Sequence, residues 1–224
     1  MSTEPGFQLT TPHLPDVLGM KIAHRVMLRD LDRTTGIAAA IADGDVPSTS
    51  RRVRALVRYL ELMAESIHHH HVAEDDILWP VIELRAGTAI DLTALTEDHR
   101  ALDPKLDDLQ AAVGRFGVEP SRSTAAVMAK RLAEVRDMLV EHIAEEEHQT
   151  FPVIQRYLST SDWQDVENRI RKAGARMTFE LPRIADVATA AELARLKDEA
   201  GPMIAVLLCA VRPRYRRMEK AIWG

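Results

Sequence analysis

The sequence predicts an all-α protein: an up-down-up-down four-helix bundle over residues 13–158, followed by a helical extension over 159–224 that packs on it. Three observations carry this reading. Ala, Leu, Arg and Glu are abundant and aromatic residues make up only 4%, a balance that favours helix. Apolar residues recur at helical spacing through four long segments. Short breaks rich in Gly, Pro and Ser separate those segments, as antiparallel neighbouring helices require.

The first helix runs from about Leu14 to Ala42, with Val17, Met20, Ile22, Val26, Leu28, Leu31 and Ile37 mixed among charges, and "DGDVPSTS" stops it. Ser50 is placed to cap the second, about 36 residues long, with Gly87 just past its end. A third begins at Thr88 or Asp91 and runs through "DLTALTEDHRALDPKLDDLQAAV", where Pro104 is expected to kink it or set its first turns apart. "GRFGVEPSRS" reads as a loop, and Ser123 opens the fourth helix, which ends near "STSD". Beyond Leu158, "STSDW" caps a short helix, "FELPRIADVAT" reads as irregular, and "AAELARLKD" and "MIAVLLCAV" read as two more short helices.

Bulk properties exclude several classes of partner. A net charge of −5 offers no general attraction to nucleic acid or to an anionic membrane. The longest apolar run, Met203 to Val211, is about half the length of a membrane-spanning helix. One cysteine, Cys209, forms no intramolecular disulfide, and the opening residues do not read as a secretory signal, so the cytoplasm is the expected compartment. The basic ending "RPRYRRMEKAIWG" reads as a solvated helix packed by Tyr215 and Trp223.

The chemistry lies in an internal repeat. "HHVAEDDILWP" in the second helix matches "HIAEEEHQTFP" in the fourth: His70, Glu74 and Pro80 stand at the same offsets as His142, Glu146 and Pro152. His24 in the first helix and His99 in the third complete the order His, His-x3-Glu, His, His-x3-Glu. Residues four apart share a helix face about 6 Å from one another, so each pair presents a nitrogen and a carboxylate together. In a bundle, four imidazoles and two carboxylates converge as a di-metal site of the kind that suits iron. A single histidine in a core is usually a satisfied packing residue; four at matched positions point to a metal.

The run His68, His69, His70, His71 needs sorting. Adjacent helical positions point about 100° apart. Only one of the four is therefore expected at the ligand position, and the repeat selects His70. His68, His69 and His71 read as neighbours, with His69 the first alternative ligand. Glu147 competes with Glu146 for the last carboxylate, and Asp75, Asp76 and Glu145 read as a hydrated face. Asp103, four residues after His99, could be a third carboxylate ligand, and reads more readily as an acceptor orienting an imidazole or as the cap before Pro104. His13 and His148 are expected to face solvent. Each proline is expected to kink its helix one turn beyond the Glu.

On these residues the chain resembles the hemerythrin-like family of HHE cation-binding bundles over roughly residues 13–158, and within it the bacterial branch with this ligand order. The resemblance implies a non-haem centre of two Fe ions with an oxo or hydroxo bridge, held by His24, His70, His99 and His142 and spanned by Glu74 and Glu146. Oxygen carriers of the family have a further histidine where this chain has Asp103, so the resemblance implies an open position at the metals. It implies a small oxidant (peroxide, oxygen or nitric oxide) as partner and catalase-like peroxide disproportionation as the leading activity. The alternative is a non-enzymatic oxygen or iron sensor acting through a protein partner on the C-terminal extension.

Overall fold

The computed structural model describes residues 14–224 and, among them, helices joined by short turns. His13 and the N-terminal edge of the expected bundle lie outside the described residues. Helix α1 spans Leu18–Asp43, α2 Ser50–Ala73, α3 Trp79–Ala86, α4 Thr93–Val118 and α5 Arg122–Tyr157. The extension contributes α6 (Thr160–Lys172), α7 (Met177–Val187), α8 (Ala190–Ala200) and α9 (Pro202–Trp223).

Local chemistry sets the helix ends. Gly44, at φ 85°, closes α1 by returning its N–H to the carbonyls of Ala40 and Ile41, a left-handed conformation that glycine adopts without Cβ cost. The Thr49 side chain caps α2 and Ser121 caps α5, so each starts one or two residues from where Ser50 and Ser123 placed it. Ser159 caps α6 as "STSDW" suggested.

Three expectations are corrected. Pro104 lies inside an unbroken α4, which continues through the expected loop as far as Val118, because Leu106, Leu109, Ala112, Val113 and Phe116 keep a buried stripe facing the core. "FELPRIADVAT" is largely helical, with Phe179, Leu181 and Arg183 buried, so tertiary burial outweighs its internal Pro182. The two repeat prolines also act differently. Before Pro80 the second helix passes through a π-helical turn, Glu74–Leu78, in which the Trp79 N–H reaches back to the Glu74 carbonyl. Pro152 sits in continuous α5.

In the bundle, α5 packs against α1 and α4, and α2 against α4. The α1 and α2 helices touch one another lightly, and α7 and α9 pack along them instead. Arg183 on α7 is fully buried and joins both: its Nε donates to Asp30 on α1 at 2.6 Å and its Nη1 to Ser66 on α2 at 3.1 Å. Tyr215 on α9 is buried beside Tyr59 of α2, and Arg33 stacks on Trp223 at 3.8 Å. The apolar core is divided in two. A larger cluster includes Leu31, Leu56, Met63, Leu109, Leu132 and Leu139; a smaller one includes Leu78, Trp79, Ile82, Leu95, Phe151 and Ile154. The shared register of the two repeat copies places their buried polar residues between these clusters.

Candidate metal centre

Each of the four long helices sends an imidazole into this layer. His24, His99 and His142 are buried, as are Glu74 and Glu146. His70, with 18% of its side chain exposed, is the most accessible member. His24 Nε2 and His70 Nε2 stand 3.0 Å apart, and so do His99 Nε2 and His142 Nε2. Donor atoms thus gather in two groups, one of His24, His70, Glu74 and Glu146, the other of His71, His99 and His142, with all atoms of a group within 4.8 Å of one another.

The carboxylates span both groups. Glu74 places Oε1 2.8 Å from His70 and Oε2 3.7 Å from His99. Glu146 Oε2 lies 3.4 Å from His24 and 3.8 Å from His142. None of the four carboxylate oxygens of Glu74 and Glu146 receives a hydrogen bond of good geometry, despite the short His70 approach, and His71 Nε2 is equally without a partner. Buried anions and imidazoles left in this state are costly for a protein that binds nothing there. A cation would answer all of them at once, and the nitrogen and oxygen donors suit one.

The outer faces of three of the imidazoles explain their orientation. His24 Nδ1 donates to Glu147 at 2.8 Å, His99 Nδ1 to Asp75 at 3.0 Å and His142 Nδ1 to Asp98 at 3.2 Å. With Nδ1 donating outward, Nε2 is the inward nitrogen, the one a metal would take in place of a proton. Trp79 stacks on His99 with 6.1 Å between centroids, and Phe151 on His24 at 6.3 Å. Both copies of the repeat therefore use the same parts: the acid five residues after His turns outward to hold an imidazole from another helix, and the aromatic nine residues on covers that same ring.

Electrostatics follow the packing. Burial opposes a charge on His24, but the hydrogen bond it donates to Glu147 and the charges of Glu146 and Glu74 overcome it and raise the imidazole to about 10. His71 is pushed well below its ordinary value by burial, only partly offset by Glu74. Burial and then His99 lower His142, against the pull of Asp98. Burial also works against the charge on Glu74, yet His70 and His24 hold its carboxyl well below the usual range. Burial and the adjacent Glu74 charge push Glu146 well above it. Two carboxylates that share a buried space titrate unevenly in this way, because one charge disfavours the other.

Two features of the site differ from the sequence reading. His71, expected to be a mere neighbour, is buried with its ring centroid 4.4 Å from His99 and 5.4 Å from His142. The 100° between consecutive residues does not exclude the pair: α2 faces the gap between the two donor groups, so His70 turns to one and His71 to the other. In the second copy the matching residue is Ile143, an apolar core position. An imidazole standing where its repeat partner is apolar was the signal available. His69, the expected alternative, is in neither group. The second difference is the outer shell. Asp75, expected in a hydrated face, and Asp98, not singled out, orient His99 and His142, while Glu147 turns outward and leaves the inner position to Glu146. Asp103 is exposed beside His68, 3.3 Å away, and orients no imidazole of the centre. Among the neighbours, His68 and His148 are exposed.

A four-helix bundle with buried imidazoles and spanning carboxylates in its core defines a cation-binding helical protein. The family profile for the Hemerythrin HHE cation binding domain matches residues 19–154. The chain belongs to that family and is a metal-binding protein. Searches of curated proteins and of solved structures return no match. Among the described residues, no helix is long and apolar enough to cross a membrane.

Proposed function

We propose that this protein holds two iron ions and uses them to bind and turn over a small oxidant, with peroxide disproportionation to water and oxygen as the leading reaction. The observation that carries the reading is that Glu74 and Glu146 each reach an imidazole of both donor groups. One cation fits among His24, His70, Glu74 and Glu146. The other fits among His71, His99 and His142, with the same two carboxylates between them. Imidazole and carboxylate donors suit iron and zinc alike, so iron is favoured by the family, and it would supply a redox-active ligand-binding centre when bound.

The chain's own residues support one position for the oxidant. The group around His71 has three imidazoles and the group around His24 has two, so the less filled position lies beside His24 and His70. His71 thereby supplies a fifth histidine from α2, and the opening implied by Asp103 is replaced by one next to His70, the most accessible imidazole. Asp75, Asp98 and Glu147 keep His99, His142 and His24 facing inward, and Trp79 and Phe151 exclude water from the rings they cover. The test is iron content and oxygen evolution from peroxide, compared with a His70→Ala, His142→Ala double variant. An iron-to-protein ratio near two and a rate lost in the variant are expected; equal low rates in both would end the enzyme reading.

One contact favours a sensing role as the second reading. Arg183 of the extension bonds Ser66, one turn before His70 on α2. Iron loading would then change hydrogen exchange across α7 and α9, and exchange indifferent to iron would exclude this route.

A further inference from the structure

Thr150 stands four residues after Glu146, one turn farther along the same face of α5. It is fully buried, and its hydroxyl has no hydrogen-bond partner. A buried helical threonine ordinarily returns its hydroxyl to a carbonyl of the preceding turn. Thr34 does so in this molecule, donating to the Asp30 carbonyl at 2.7 Å. Thr150 forgoes that bond. Its repeat counterpart is Leu78, also fully buried, so packing alone is met by an apolar side chain at this position.

The surroundings narrow what the hydroxyl faces. Below it lies the smaller apolar cluster, with Phe151 and Ile154 of α5. Above it lies Glu146, whose carboxylate oxygens also lack hydrogen bonds. Helical side chains lean toward the N-terminus and cover the preceding turn, so the Thr150 side chain leans toward the layer of Glu146 and His24. A buried donor kept away from its own backbone, one helical turn from a carboxylate of the His24 group, is available to a guest bound there.

We propose that the Thr150 hydroxyl donates a hydrogen bond to the small exogenous ligand bound at the His24, His70, Glu74 and Glu146 position. This rests on the di-iron reading and adds a specific ligand-contacting residue to it. The ligand class is a small anion or oxidant with a lone pair directed at Thr150. The role is donation of a hydrogen bond that orients the ligand, with no covalent step.

Azide titrated into iron-loaded protein is the probe, read from its charge-transfer absorption and affinity in wild type, Thr150→Val and Thr150→Ser. Valine keeps the shape and removes the donor, and serine keeps the donor. The expected result is azide affinity about tenfold weaker in T150V, equivalent to about 1.4 kcal/mol, and within about threefold of wild type in T150S. Iron content is expected to be equal in all three. The metal-free melting temperature of T150V is expected to be no lower than wild type, because no protein partner is lost. Equal azide affinity in the three proteins at full iron content would overturn this inference alone, as would a metal-free T150V destabilised by several degrees. Wild type that takes up no iron would overturn the di-iron reading and this inference with it.

Discussion

Replacing His71 by Ala tests the centre at the residue where structure and sequence disagree most. The side chain is 5% exposed in its residue, its Nε2 has no partner, and it forms one of three imidazoles in its donor group. Removing it leaves His99 and His142. Loss of even an outer-shell partner of a metal commonly costs 10–100-fold in affinity, so loss of a donor is expected to cost about 100-fold or more. Through binding linkage that is about 2.7 kcal/mol of metal-dependent stability under saturating conditions. At roughly 2–4 °C per kcal/mol for a chain of this size, the metal-induced rise in melting temperature is expected to shrink by about 5–11 °C. Thermal melts with and without iron, alongside metal content after graded chelation, measure it. His68→Ala and His69→Ala serve as controls and are expected to keep the full rise. A His71→Ala protein with an undiminished rise, or a His68→Ala protein that loses as much, would refute the assignment of the second donor group.

Further outcomes are expected. Glu147→Gln and Asp75→Asn are expected to weaken metal binding about 10–100-fold while leaving the metal-free fold intact, measured by competition with a chelator. Arg183→Met strips the buried Asp30 of its partner, and denaturant unfolding is expected to show a loss of about 3–5 kcal/mol; the double change with Asp30→Leu is expected to recover most of it. Ser121→Ala removes the side-chain cap of α5, the helix carrying His142 and Glu146, and is expected to cost about 0.5–2 kcal/mol by the same measurement.

Much of the centre was readable as pattern. The offsets shared by His70, Glu74 and Pro80 with His142, Glu146 and Pro152 placed two helices, and His24 and His99 the other two, because a helix converts spacing into a common face. The same repeat also held the outward acids and the aromatic covers at offsets of five and nine. Those were legible only as similarity, since spacing along one helix does not say which neighbouring helix an outward side chain meets. Asp98 had no repeat counterpart at all, because Ala23 precedes His24.

The sequence by itself determined the helical class and the order of the histidines and glutamates, both consequences of local periodicity, and its likeness to a cation-binding family, which those motif residues carry. Tertiary structure decided the rest. It seated His71 beside His99 and His142, turned Asp75 and Glu147 onto imidazoles of other helices, put a π turn before one repeat proline and none before the other, and made a helix of the segment around Pro182 by burying it against α1 and α2. Each depends on where one helix lies against another, and that is settled by packing across the bundle.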